Sequence, residues 1–165
     1  MGRASGKACD QSVSVTVADR QRFVRVGRPW LEGIVRRTLA AEGIPRAEIS
    51  LTLVDDRRIG RLHAEWFADP SPTDVITFPL SERRAAVLAG DLVVSAEMAK
   101  RRGREFGWAP RHELAYYVVH GLLHLTGYDD TSPTRRRVMR ARERTVMRII
   151  GLPAPPRRRP AARSA

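Results

Sequence analysis

Polar and apolar side chains alternate near the start of the chain, then give way to helical spacing, and then alternate again. Residues 13–17 place valine at every second position between Ser and Thr, which predicts a half-buried strand. Residues 28–43 carry their apolar side chains on one helical stripe, with Pro29 in the first turn and Gly43 at the end. Residues 49–53 return to a period of two. A strand, a helix and a strand in this order are typical of an α/β or α+β layer.

The rest of the pattern adds two strands and four helices. A helix capped by Asp55 or Asp56 leads through a Pro-rich loop to a strand at 75–78. Another strand covers 87–95, and Gly90 within it predicts a bulge or a close backbone approach. Three further helices start near Ser95, Pro110 and Ser132. We therefore predict an α/β fold of α+β-like character, in which helices cover a small mixed sheet of about four strands.

The length of 165 residues suits a single domain with one core. We expect residues 1–10 to be disordered, residues 11–151 to form that domain, and residues 152–165 to be a disordered Pro/Arg-rich tail. Cys9 is the lone cysteine, which favours a reducing compartment over a disulfide framework. Apolar runs stay well short of the ~20 residues of a membrane span. We expect a cytoplasmic protein with no membrane association.

Arginine carries nearly all of the positive charge, because Lys7 and Lys100 are the lysines in a chain of net charge +12. Guanidinium groups fork onto phosphates and stack on unpaired bases, so single-stranded RNA is the favoured partner. A GC-rich genome would also enrich arginine without any functional reason. The helix after Ser95 concentrates basic residues that form either an RNA backbone contact or a solvated face: Lys100, Arg101, Arg102 and Arg104.

The last helix combines an apolar stripe with an arginine-rich face. Its apolar side chains are predicted to turn inward: Val138, Val146, Ile149 and Ile150. Its arginines are predicted to turn mostly outward: Arg135, Arg136, Arg137, Arg140 and Arg144. The arginine face is either solvated or in contact with RNA.

Two histidines follow the apolar run 114–119, which indicates a buried helix. His120 and His124 are four residues apart, so both imidazoles project from one face and can hold one metal ion. Gly127 allows the chain to turn after the helix and to bring Asp130 in as a third ligand. Two histidines on an apolar helix are also compatible with ordinary core or boundary residues.

Metzincin-type zinc proteases use the same ligand spacing, with a Glu directly after the first His as the general base. Here that position is Gly121, which brings no proton-transfer group. The sequence therefore favours a metal site on a central helix and excludes ordinary zinc proteolysis.

Three segments together carry a resemblance to a known family: His120 to Asp129, Pro72 to Pro79, and Gly90 to Ser95. They resemble, in the same order, the signature motifs of the bacterial YbeY family. That family comprises rRNA maturation factors described as single-strand-specific, zinc-dependent endoribonucleases. The resemblance spans about residues 11–151. It implies one zinc ion per chain, a role in rRNA maturation and ribosome quality control, and single-stranded rRNA and the small ribosomal subunit as partners.

Two departures from the family pattern bear on activity. The third ligand of the family is a His, and here it is Asp130, which zinc accepts but which favours harder ions such as manganese or iron somewhat more. The family also carries an Asn and a Tyr-Arg pair before the Pro-Thr-Asp motif. His63, Trp66 and Phe67 stand at these places, so the arginine thought to serve RNA cleavage is missing. Either another arginine takes its role, such as Arg101, Arg102 or Arg104, or cleavage is weak or lost.

The resemblance completes the predicted site. We expect zinc on His120, His124 and Asp130, with Asp129 orienting a ligand His or Tyr128. Thr73 and Asp74 either line the cleft or cap a strand. No residue is a convincing general base, so the catalytic group is a water activated by the ion or the 2′-hydroxyl of the RNA itself. The alternative is an RNA-binding protein of ribosome biogenesis with a structural metal and little or no cleavage.

Overall fold

The computed structural model describes residues 12–156, which form one four-stranded sheet and five α-helices. The elements run in the order β1 Ser12–Asp19, α1 Arg28–Ala41, β2 Arg46–Val54, α2 Asp56–Phe67, β3 Val75–Pro79, β4 Leu88–Ser95, α3 Ala96–Glu105, α4 Pro110–Thr126 and α5 Pro133–Ile149. The predicted α/β class with a mixed sheet of four strands is confirmed. The predicted disordered segment 1–10 and most of the predicted tail lie outside the described residues.

Within residues 12–156, no helix is both long enough and apolar enough to span a bilayer.

The strand order is β1-β2-β4-β3. β1, β2 and β4 are parallel, and the edge strand β3 is antiparallel to β4. Pairing continues through Gly90 on both sides, so β4 has no bulge there. The glycine instead permits a close approach, because a Cβ at this position would lie 2.6 Å from the Leu125 side chain of α4.

The two faces of the sheet are covered unequally. Apolar residues of the four strands pack with α1 and α4 on one face and form the main core. A smaller cluster of Val54, Ile59 and Ile76 joins α2 to the other face, over β3 and β4. The site-bearing helix α4 thus lies in the main core, and α2 lies across the sheet from it.

Close packing of α4 on the sheet explains the residue at position 121. A Cβ on Gly121 would lie 2.7 Å from Leu92 and 3.1 Å from Val75. A glutamate here would displace the helix from the sheet, so the general base of a metzincin has no space. Gly121 is therefore a packing requirement as well as a missing catalytic group.

Helix α5 packs against α4 and α1 along a stripe shifted from the predicted one. Val138 and Ile149 were predicted to be buried, but they are 56% and 57% exposed. The buried residues of the helix and its C-cap are Met139, Glu143, Val146, Met147 and Ile150. The prediction was wrong for two residues because the true stripe contains a carboxylate, which the apolar pattern alone passes over.

Candidate metal centre

The last two turns of α4 and the loop after them bring three potential ligands together. His120 Nε2 and His124 Nε2 are 3.1 Å apart, and His124 Nε2 lies 4.0 Å from Asp130 Oδ1. One ligand atom of each of the three residues lies within 4.8 Å of the others. The ligand set predicted from the sequence therefore meets at one point.

The ring of His120 is oriented by a hydrogen bond to the buried carboxylate of Glu143. Its Nδ1–H donates to Glu143 Oε1 at 2.5 Å, and Tyr116 Oη donates to Glu143 Oε2 at 2.8 Å. Glu143 itself is only 2% exposed. Burial opposes protonation of the ring, but the hydrogen bond and negative charge of Glu143 outweigh it and raise the pKa of His120 above its ordinary 6.5.

His124 is held by the backbone of the loop. Its Nδ1–H donates to the Tyr128 carbonyl at 3.1 Å, which is possible because Gly127 takes φ +111° and turns the chain back. Burial, followed by the positive charge of His120, lowers the pKa of His124 below its ordinary 6.5. The two rings therefore differ in proton affinity although they face each other.

The donor set fits a divalent metal ion. With both Nδ1 atoms donating to oxygen acceptors, two neutral rings direct their Nε2 lone pairs at each other across 3.1 Å. Such a pair is repulsive unless a metal ion or a proton lies between the two nitrogens. Ligands on a tetrahedral zinc with bonds of about 2.0–2.2 Å lie roughly 3.3–3.6 Å apart, close to the distances in the cluster. Two imidazoles and one carboxylate leave a coordination position for solvent or substrate.

A cleft of about 440 Å³ opens beside His124. Thr77, Ser81 and Arg83 line it on the side of β3 and the following coil. Arg83 Nη2 donates to the Gly127 carbonyl at 2.7 Å, so its guanidinium lies at the loop that carries Asp130. Sequence reasoning missed Arg83, because residues 80–87 carry no periodic pattern that would direct it to the site.

Asp129 was expected to orient a ligand histidine or Tyr128. Its carboxylate instead accepts from Thr131 N and Oγ1 and from Arg135 Nη1, on the outer side of the loop. The hydrogen bonds of Thr131 lower its pKa. Asp129 thus fixes the loop at the start of α5 and does not hydrogen-bond the imidazoles.

Thr73 and Asp74 lie at the start of β3. Asp74 Oδ1 accepts from Thr73 Oγ1 and from Val75 N, which is the strand-capping arrangement. The negative charge of Asp74 also contributes to raising the pKa of His120, so this carboxylate lies near the cluster.

The residues aligned with the missing family positions lie on α2, outside the ligand cluster. His63 Nδ1 pairs with the Ser71 carbonyl at 2.9 Å, and its ring contacts Phe67. Phe67 is 55% exposed, and Trp66 packs edge-on against Phe78 of β3. Position 67 therefore offers no cation to a substrate phosphate.

Two of the four basic residues predicted on α3 form ion pairs with neighbouring acids. Arg101 forms an ion pair with Asp56 at 2.7 Å, and Arg102 pairs with Glu105 at 3.2 Å. Arg104 is exposed and Lys100 is half-buried. Two of the four residues predicted to contact RNA thus already have anionic partners.

The structure adds Glu143 and Tyr116 to the site. In the sequence, Glu143 is the sole acidic residue of an arginine-rich helix, 23 positions after His120. The available signal was its position in line with the apolar residues of that helix, since a carboxylate there needs a polar partner.

Comparison with known proteins agrees with these observations. The family model described as Endoribonuclease YbeY matches residues 10–151. The Endoribonuclease YbeY of Anaeromyxobacter dehalogenans is 45% identical over 115 residues, which cover 69% of this chain and 60% of that protein. The match thus spans less than two thirds of that relative. The Endoribonuclease YbeY of Geobacter metallireducens is 34% identical over 144 residues, covering 84% of this chain and 96% of the relative.

A solved structure shares the fold. The solution structure of TM1509 from Thermotoga maritima superposes with a TM-score of 0.60 at 24% identity, over 84% of this chain and 88% of that one. The family match covers both the edge strand and the ligand helix, and the geometry described above lies within it. The chain belongs to the YbeY family.

Proposed function

We propose that this chain is a single-strand-specific, metal-dependent endoribonuclease that acts in rRNA maturation and ribosome quality control, with residues 11–151 as its catalytic domain. The observation that carries the proposal is the pair of Nε2 atoms directed at each other beside Asp130. Membership of the YbeY family supports RNA as the substrate, and the ribosomal role follows from the family resemblance. Its partners would be single-stranded rRNA and the small ribosomal subunit.

His120, His124 and Asp130 would hold one zinc ion per chain. When bound, the ion supplies Lewis acidity, which lowers the pKa of a water or polarises the scissile phosphate. Zinc suits two imidazoles and a carboxylate, and the added negative charge makes manganese or iron the closest competitors.

The protein's own groups position the ligands and the substrate. Glu143 and the Tyr128 carbonyl hold the Nδ1 protons, so both rings present Nε2 to the cleft. Arg83 lines the same cleft, and we assign it the phosphate contact that the family arginine would make. We assign the phosphate contact to Arg83 in place of Arg101 and Arg102, because these two arginines pair with Asp56 and Glu105.

The decisive experiment is cleavage of an unstructured single-stranded rRNA fragment by zinc-loaded, chelated and zinc-restored protein. Wild type should cut only with zinc, and His124→Ala should not cut. His112→Ala is the matched control, since His112 lies on the same helix outside the ligand cluster. If wild type binds RNA but never cuts it, the non-cleaving RNA-binding alternative replaces the proposal, and Phe67 becomes the residue that explains it.

The attacking group can be identified in the same assay. A substrate with 2′-deoxyribose at the cut site resists if the 2′-hydroxyl is the nucleophile. Equal cleavage of the ribose and deoxyribose substrates would assign the attack to water.

Arg83→Ala should lower the cleavage rate about 100-fold, by analogy with removal of one transition-state donor, without changing zinc content. Arg84→Ala is the control, because it removes the neighbouring exposed arginine. An Arg83→Ala protein that cuts at the wild-type rate would remove Arg83 from the mechanism.

A further inference from the structure

The outward face of α5 carries a continuous line of arginines. These residues line a groove of about 400 Å³: Pro133, Arg136, Arg137, Arg140, Ala141 and Arg144. They occupy positions i, i+3, i+4, i+7, i+8 and i+11, which form one stripe about 16 Å long on a helix. None of the described residues that line the groove is acidic. We call this surface the α5 arginine stripe.

Most arginines of the stripe have no carboxylate partner among residues 12–156. Within the described part of the chain, no carboxylate forms an ion pair with Arg137, Arg140 or Arg144. In contrast, Arg142, on another side of the same helix, pairs with Glu42 at 2.6 Å. Like charges three or four residues apart destabilise a helix, so the stripe does not stabilise α5 by itself.

The stripe is joined to the candidate metal centre. α5 begins three residues after Asp130, and Arg136 Nη2 donates to the Asp130 carbonyl at 3.2 Å. Arg135 is fixed beside it by an ion pair with Asp129 at 2.7 Å. A polyanion seated on the stripe would therefore have its end at the ligand loop.

We propose that the α5 arginine stripe binds the phosphate backbone of single-stranded RNA and leads the strand to the metal centre. The identity of the polyanion rests on the proposed function. Guanidinium groups pair with phosphates in a fork and stack on unpaired bases, which suits a flexible strand. A lipid surface fits poorly, because membrane-bound helices need an apolar face free to insert, and that of α5 is buried against α1 and α4.

The test measures binding separately from cleavage. Fluorescence anisotropy with a labelled, unstructured RNA would compare chelated full-length wild type, which should not cut, with the equally chelated triple variant Arg137→Ala/Arg140→Ala/Arg144→Ala, and a gel would verify that the RNA stays intact. Arg20→Ala/Arg22→Ala/Arg25→Ala removes the same charge from exposed positions elsewhere. Substitution of the three stripe arginines by lysine keeps the charge but not the fork.

We expect the stripe variant to lose at least about 10-fold in affinity and the control less than about 2-fold. The slope of log affinity against log salt should fall by about 2, at roughly 0.7 per lost phosphate contact. The lysine variant should recover most of the slope. Equal losses in stripe and control variants, or wild-type affinity in the stripe variant, would overturn the proposal.

These outcomes are independent of the proposed cleavage. If wild type never cuts RNA but the stripe variant still loses binding, the endoribonuclease proposal fails and the stripe stands. If wild type cuts with zinc and the stripe variant binds RNA normally, the endoribonuclease proposal stands and the stripe proposal fails. Equal zinc content in all variants shows that the metal centre is intact.

Discussion

His120 and His124 lie one helical turn apart and direct their Nε2 atoms at the same point, yet they are held in different ways. A buried carboxylate of another helix orients His120, while a backbone carbonyl of the adjoining loop orients His124. One attachment is charged and enclosed in the core, and the other is neutral and depends on the turn at Gly127. The buried half of the site thus comes from tertiary packing, and the half beside the open cleft comes from local chain geometry.

Removing Glu143 should cause the largest loss of unfolding free energy and of zinc affinity. Glu143→Ala removes the carboxylate that accepts from the Nδ1–H of His120 and from the hydroxyl of Tyr116. We expect metal-free protein to lose about 3 kcal/mol of unfolding free energy at pH 6, measured in urea, as when a buried pair is broken. Zinc affinity, measured against a competing chelator, should fall about 10–100-fold.

Glu65→Ala is the control for that measurement, because Glu65 is exposed on α2. An unchanged urea midpoint in Glu143→Ala would show that the carboxylate does not stabilise the fold, and the contrast between the histidines would lose its basis.

The ion pair of protonated His120 with Glu143 should make the unfolding free energy of the metal-free protein depend on pH. This effect should be smaller than the effect of Glu143→Ala. The pKa of His120 is raised by Glu143, so the stabilisation is complete below pH 6.5 and is lost as pH rises through the folded-state pKa. The lowered pKa of His124 acts in the opposite sense, with stability lost as pH falls below 6.5. The stability difference between wild type and Glu143→Gln should therefore shrink on going from pH 6 to pH 9. A difference that stays constant would mean that His120 remains neutral throughout.

This contrast also explains what the sequence predicts and what it does not. The spacing of His120 and His124 and the turn at Gly127 are local, so the clustering of these histidines with Asp130 could be predicted from the sequence. Glu143 reaches His120 only because α5 packs on α4, and no short-range pattern contains that contact. The same limit applies to α3, where Arg101 meets Asp56 from the start of α2.

The elements of the fold could be predicted for a related reason, since their sequence patterns are also local. Alternation and helical stripes mark where each element lies, and they gave the four strands and five helices of the described chain. They did not predict which face of α5 is buried. That face includes Glu143, whose burial is stabilised only by its hydrogen bonds to Tyr116 and His120 on α4.

Gly127→Ala should disturb the loop that orients His124 and carries Asp130. Gly127 has φ +111°, and an L-residue there costs about 1–2 kcal/mol, while its Cβ would lie 2.4 Å from the Arg83 guanidinium and displace it. We expect weaker zinc binding, with a smaller loss than in Glu143→Ala, because Asp130 and the Tyr128 carbonyl shift together. Gly151→Ala is a matched control: it also has positive φ, +81°, but its Cβ would meet open space at the end of α5. Equal zinc affinity in the two variants would show that the turn does not position the ligands.

The smallest effect is expected from Tyr116→Phe. The substitution removes the hydrogen bond that Glu143 accepts from Tyr116 and leaves the bond that it accepts from His120 in place. Unfolding free energy should fall by about 1 kcal/mol, the usual net value of one hydrogen bond, and zinc affinity should change less than about threefold. Tyr128→Phe is the control in the same denaturant series. A loss of zinc affinity as large as that in Glu143→Ala would mean that Tyr116, rather than the carboxylate alone, fixes the orientation of His120.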